Sequence, residues 1–296
     1  MNRPGIFLLT LLLFQLGLLG WLLRSAGNAD GNTIPLLVQT GTYVVDTLRI
    51  EDSAGDSAML HKGANGWMLP QLNGLPADSE RVEALLKTLT ATDAGWAIAH
   101  SSAARQRFEV ASYRFQRKIT LVAQGRELGS VYIGSSPGFR RLYARSAHKN
   151  PIYSIPLNRH EIPAHDDGWL LPSLLQVRAP VAISSDGYSL RHSNGQWLDG
   201  NGNRVAEEQI EALQHALRDL RAEGLAPQQL ADSLQPAQAE LILGIESLGG
   251  NFTLEFYLHE GQHYLRSSRY PFLFRLPGFI YERIRGLDSL ILTGAE

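Results

Sequence analysis

His259, Glu260 and His263, in the stretch LHEGQHYL from Leu258 to Leu265, spell H-E-x-x-H. On a helix this spacing sets two imidazoles on one face to hold zinc, with the glutamate between them as the base that activates a bound water. Glu282, nineteen residues beyond His263, is available as a third ligand. A membrane-bound zinc hydrolase is therefore one function that the letters allow. The flanking residues argue otherwise. In NFTLEFYL, Phe252, Leu254, Phe256 and Leu258 alternate with Thr253, Glu255 and Tyr257, the period of a strand. Gly261 suits a tight turn better than a helix interior, and Tyr264 to Arg266 resume an extended run. The spacing predicts the tip of a hairpin, which could still set His259 and His263 close to each other across its strands.

HEIPAH, His160 to His165, has its two histidines five apart with Pro163 between them, so they share no helical face. With Asp166 and Asp167 they offer a surface metal site or, more simply, a polar loop. Neither motif argues for a resident metal or cofactor. The chain has no cysteine, which removes disulfides, thiolate zinc sites and a cysteine nucleophile. A G-x-S-x-G elbow, a G-x-x-x-x-G-K-[ST] loop and a strand-linked G-x-G-x-x-G are also missing. The expectation is a protein that is not an enzyme.

Charge is distributed unevenly. The chain carries a net −2, yet Ser101 to Asn150 holds ten Lys or Arg against Glu109 and Glu127, a local +8 that leaves −10 for the rest. Within this stretch Arg140, Arg141 and Arg145 are the candidate residues for binding a partner or an anionic ligand, such as an anionic lipid or an envelope polymer. The simpler alternative is a solvated strand face whose arginines pair with acids elsewhere. Nucleic acid is not expected, because the whole-chain pI is about 6.5.

Two stretches share one plan. GWMLPQLNGLPADSERVEALLKTL around Trp67 and QWLDGNGNRVAEEQIEALQHAL around Trp197 each run from a strand-like segment through a turn into an amphipathic helix. Val82, Leu85, Leu86 and Leu89 give the first helix its apolar stripe behind Asp78 as N-cap, and Ile210, Leu213, Leu217 and Leu220 give the second. Strand-like runs follow each helix. Tyr143, Arg145, Ser146 and Pro156 have the mutual spacing of Tyr264, Arg266, Ser267 and Pro277. The fold class predicted is α+β, with a lobe over residues 31–178, a degenerate second copy over 179–296, and an antiparallel sheet with a packed helix in each.

Residues 1–30 read as an anchor and linker. Gly5 to Leu23 is nineteen residues without a charge, between Arg3 and Arg24. At about 1.5 Å per residue it just spans a hydrocarbon core of roughly 30 Å. It is longer than the apolar region of a cleaved leader, although the small residues Gly27 and Ala29 leave a cleavage site as the alternative. The expectation is a single-pass protein of the bacterial inner membrane with the bulk of the chain in the periplasm.

An apolar N-terminal run, Trp67 to Pro70, the helix Asp78 to Leu89, the pair Ile133-Gly134, Tyr143 to Arg145 and Ile152 to Ile155 together resemble the bacterial family known as domain of unknown function 4340. The second copy, Val181 to Leu287, keeps Trp197 but lacks the Leu-Pro and Ile-Gly elements. The resemblance implies an envelope component of gliding-motility-type ABC transporters, with permease and ATPase subunits as partners and no catalytic residues. The alternative is a free-standing periplasmic module for an anionic envelope ligand.

Overall fold

Val82, Leu85, Leu86 and Leu89, the stripe that a helix would have to bury, are all buried on one face of α1 (Ser79–Leu89). Asp78 caps it, its Oδ1 accepting from the Arg81 backbone N–H at 3.1 Å. Each such aliphatic side chain contributes roughly 1.5–3 kcal/mol by leaving water. The computed structural model describes residues 14–19, 37–90, 96–205 and 207–293.

The helix packs on an eight-stranded antiparallel sheet. Its strands are β1 (Thr47–Asp52), β2 (Ser57–Gly63), β3 (Gly66–Leu69) and β4 (Leu75–Pro76), then β7 (Arg117–Ala123), β8 (Arg126–Ile133), β9 (Leu142–Ser146) and β10 (Tyr153–Ile155). Their spatial order is β10-β9-β8-β7-β1-β2-β3-β4. Between α1 and β7 lies an insert with α2 (Ser102–Arg107) and the two-stranded ribbon β5 (Val110–Ala111) and β6 (Arg114–Phe115).

The second sheet comprises β11 (Pro180–Ser185), β12 (Tyr188–Ser193), β13 (Gln196–Leu198), β14 (Gly224–Leu225), β15 (Leu241–Ser247), β16 (Gly250–His259), β17 (Gln262–Ser267) and β18 (Leu273–Leu276). Its order is β13-β12-β11-β15-β16-β17-β18-β14. Helices α3 (Glu207–Arg218) and α5 (Gly278–Thr293) pack together here, and α4 (Gln228–Ser233) lies in an insert ahead of β15.

Seven strands follow one order in both sheets: β3-β2-β1-β7-β8-β9-β10 in the first is β13-β12-β11-β15-β16-β17-β18 in the second. The registers correspond as well. Tyr132 pairs with Arg145 across β8 and β9, and Glu255 pairs with Arg266 across β16 and β17. At the other end Lys62 faces Trp67, and His192 faces Trp197. The observed class is α+β with two large antiparallel sheets.

Each sheet is covered on both faces. One core cluster runs through both halves, from Leu48, Ile119 and Val82 to Ile183, Leu243 and Leu213, with Trp169, Leu174 and Val177 of the connecting segment inside it. On the opposite faces lie two small satellite clusters. The first is Ala104, Val110 and Ile152 with Tyr132 and Tyr143, under the insert carrying α2. The second is Leu234, Tyr257, Tyr264 and Leu273, under the insert carrying α4.

The segment read as an anchor falls largely outside the described residues. Of it, 14–19 are helical, with Phe14, Leu16, Leu18 and Leu19 exposed. Among the described residues no helix is long and apolar enough to cross a membrane. The fold therefore lends no support to the expected transmembrane helix.

Candidate functional site

The H-E-x-x-H letters lie on a hairpin, not a helix. His259 ends β16 opposite Gln262, and the two-residue turn Glu260-Gly261 has φ of 48° and 75°. Positive φ at both central positions marks the type I′ turn that matches strand twist. Register then decides the metal question. His259 shares a face with Gln262, while His263 pairs with Leu258 on the other face. The two imidazoles point to opposite sides of the ribbon, which corrects the expectation that a hairpin could draw them together. His263 does meet Glu282 of α5, Nε2 to Oε1 at 3.6 Å, and its ring lies 4.5 Å from that of Tyr281. Glu260 stays exposed at the turn. The zinc-hydrolase alternative loses its geometry, and among the described residues no three His, Asp or Glu are placed to hold a metal.

HEIPAHDD is a structural joint. Asp166 Oδ1 accepts from the Met59 N–H at 2.9 Å in the first sheet, and Asp167 Oδ2 accepts from the Leu225 N–H at 3.2 Å in the second. Burial raises the Asp166 carboxyl above the usual carboxylate range. Arg81 fastens the same segment to α1 through the carbonyls of His160, Glu161 and Gly168, at 2.7, 3.0 and 2.8 Å. Its guanidinium lies 4.5 Å from the ring centre of fully buried Trp169.

The three candidate arginines separate into two roles. Arg145 is 4% exposed. Its Nε donates to the Val110 carbonyl at 2.8 Å, and Nη1 donates to the carbonyls of Ser146, Ala147 and Lys149 at 2.9, 3.2 and 3.0 Å. The group sits over Tyr132 at 5.1 Å and is committed to holding the insert and the turn after β9. Burial lowers its pKa. Arg145 is thus fixed in the framework, whereas Arg140 and Arg141 are exposed at the β8–β9 loop.

That loop, Gly134 to Arg141, is ordered by its own hydrogen bonds. Gly134 N–H donates to the Tyr143 carbonyl at 2.8 Å, and Arg141 N–H donates to the Gly138 carbonyl at 3.3 Å. The Ser136 hydroxyl lies 2.7 and 2.8 Å from the carbonyls of Gly138 and Arg141. Arg141 Nε donates to Ser154 Oγ at 2.7 Å, and a second guanidinium nitrogen donates to the Ser154 carbonyl. Arg140 takes φ of 50° and lays its guanidinium 5.1 Å from the ring of Phe139.

Beside the loop a cavity of about 250 Å³ is lined by Ser136, Arg140, Arg141, Leu142, Leu157, Asn158, Arg159 and His160. Arg159 and His160 come from a short 3-10 turn in which Glu161 accepts from the Asn158 N–H at 3.0 Å. Sequence reasoning missed Arg159, and it weighed His160 only as part of a polar loop or surface metal site, not beside the basic loop. They lie well beyond the basic stretch, and only the fold of β9 and β10 brings them to it. A cleft of about 480 Å³ shares Arg159 and is lined further by Tyr113, Arg114 and Arg117. A groove of about 400 Å³ follows the exposed side of α1 from Asp78 to Thr88 and is closed by Pro156 and Leu157.

No curated protein and no solved structure matches the chain. A family profile matches residues 67–240, which run from Trp67 in β3 through the connecting segment to the start of β15, more than half of the 296 residues. The chain belongs to the family described as Domain of unknown function (DUF4340).

Proposed function

We propose that this protein is a non-enzymatic accessory subunit of an ABC transporter complex, held on the bacterial inner membrane by residues 5–23 with both lobes in the periplasm. The observation that carries this reading is the uncharged run Gly5 to Leu23 between Arg3 and Arg24, joined by a short segment to a two-sheet body. A single anchor confines such a body to a thin layer above the bilayer and raises its effective concentration near a permease. The association with permease and ATPase subunits of the gliding-motility type comes from the family resemblance. The test is mass spectrometry of proteins that co-purify with the tagged full chain in mild detergent, beside a form beginning at Gly31. Recovery of an ATPase and a permease with the full chain is the expected result. Loss of both from both forms would remove the transporter reading.

A second reading, a free-standing periplasmic module for an anionic envelope ligand, is favoured by the cavity that gathers Arg140, Arg141 and Arg159.

A further inference from the structure

We propose that the cavity between the β8–β9 loop and the Asn158–Glu161 turn binds a phosphate-type anion, the phosphate group of an ester, through Arg140, Arg141 and Arg159. Arg140, Arg141, Arg159, His160, Ser136 and Asn158 are the polar residues that line the space, and no Asp or Glu does. Elsewhere in the basic stretch positive charge is largely spent within the protein. Arg114 meets Glu109 at 3.2 Å, Arg117 meets Asp52 at 3.6 Å, Lys118 meets Glu51 at 3.1 Å, and Arg145 is enclosed by carbonyls. Among the described residues neither Arg140 nor Arg159 has a carboxylate within 4.0 Å, the limit for an ion pair. Glu109, across the adjoining cleft that Arg159 also lines, feels the Arg159 charge but already meets Arg114. Like charges gathered with so little counter-charge repel one another, and an anion placed between them relieves that repulsion.

The shape selects among anions. Guanidinium forks arriving from two separate segments can engage several oxygens at once, which a tetrahedral phosphate offers and a planar carboxylate does not. Buried Leu142 and Leu157 also line the cavity, and Phe139, 86% exposed, stands next to it in sequence. An apolar wall beside a basic one suits a phosphate that carries a carbon substituent. Preorganisation is built in, because Ser136 pins the loop and Ser154 holds the Arg141 fork. The group could come from a phospholipid headgroup or from a soluble phosphate ester. The inference concerns this cavity alone and stands whether the body works beside a permease or by itself.

The test is calorimetric titration of the full chain in non-ionic detergent with four probes: inorganic phosphate, glycerol phosphate, and short-chain phosphatidylglycerol and phosphatidylcholine. Saturable binding of the anionic probes, weakened by added salt, is expected. Phosphatidylglycerol held about tenfold or more above glycerol phosphate would assign the headgroup source, and equal strength would assign the soluble ester. The pair Arg140→Glu with Arg159→Glu should lower affinity at least about tenfold, with an unchanged thermal midpoint because both side chains are exposed. Arg159→Gln alone, on the segment separate from the loop, should give a smaller loss in the same direction. Absence of saturable binding to every anionic probe, or wild-type affinity in both variants, overturns the proposal.

Discussion

The two sheets share strand order and register, yet they close the equivalent hairpin differently. In the first sheet β8 and β9 are joined by Gly134 to Arg141, a loop that carries Phe139 and two exposed arginines. In the second, β16 and β17 are joined by Glu260-Gly261 alone. Register places Gly134 where the second sheet has Tyr257, since Gly134 faces Tyr143 and Tyr257 faces Tyr264. A Cβ at Gly134 would run into the Phe108 carbonyl, and the Phe108 ring stacks on Tyr143 at 4.1 Å. In the second sheet the Tyr257 ring itself fills that side of Tyr264, in the same satellite cluster. The missing Ile-Gly element of the second copy thus has a packing cause. One scaffold is used twice, and the first copy alone carries a long basic loop at this hairpin.

What the sheets hold in common can be tested most forcefully at the paired arginines. Arg266 repeats the role of Arg145: its guanidinium donates to the Ala231 carbonyl at 2.6 Å and the Leu234 carbonyl at 3.1 Å, and it lies 5.4 Å from the Tyr257 ring centre. Arg145→Ala should cost about 3 kcal/mol, because buried carbonyls lose their donors. Arg266→Ala should cost about 2 kcal/mol, since that site is more open and Glu255 is left beside it, its Oε2 3.6 Å from the lost guanidinium. Urea denaturation measures both. A negligible cost at Arg266 would break the equivalence.

The next largest effect should separate the two copies. Gly134→Ala is expected to cost about 2 kcal/mol by pushing the added methyl against the Phe108 backbone. Tyr257→Phe, which keeps the ring and loses the hydroxyl that donates to Glu255 and accepts from Arg266 at 3.2 Å, should cost about 1 kcal/mol. At the tight turn, Gly261→Ala should cost about 1 kcal/mol, because an alanine at φ of 75° meets the left-handed penalty. Glu260→Asn should recover a few tenths of that, as asparagine tolerates the same region better, about the scale of a turn preference. Equal stability of Gly261→Ala and wild type in thermal melts would count against the type I′ turn.

How far these differences could be read beforehand depends on the kind of interaction. The alternation of Phe252, Leu254 and Phe256 against Thr253 and Glu255 gives the β16–β17 hairpin at once, because strand period is local. The stripe Val82, Leu85, Leu86 and Leu89 gives α1 for the same reason. Burial of a charged residue leaves no such mark. Arg145 belongs to the same run of basic residues as Arg140 and Arg141, and nothing in that run sets it apart from them. One internal signal did distinguish it: the second copy keeps an arginine at this register, Arg266, although it has no basic loop. A charge kept where its basic neighbours Arg140 and Arg141 give way to the uncharged Gly261 and Gln262 points to the framework. Arg159 gave no signal, since its approach to Arg140 depends on the path of β9, β10 and the turn after them.

The smallest expected effect lies at the other edge of the sheets, where Trp67 and Trp197 correspond. Lys62 stands 5.7 Å from the Trp67 ring centre, and Glu83 accepts from Lys62 at 2.7 Å and from the indole N–H at 2.9 Å. In the second sheet His192 takes the lysine's place, its ring 5.3 Å from that of Trp197. The Lys62 hydrogen bond, and then that of the indole, hold the Glu83 carboxyl below the usual carboxylate range. A depressed folded pKa contributes stability that is complete above the unfolded value of about 4.3 and disappears as pH falls through the folded value. Asp46, lowered chiefly by the Gln124 N–H, acts in the same direction, and Asp166, raised by burial, acts against both. Denaturation midpoints of wild type and Glu83→Gln should therefore converge as the pH drops from about 5 to about 3. Parallel acid limbs would mean that solvent screens this half-exposed pair and that burial of Trp67 alone holds the edge.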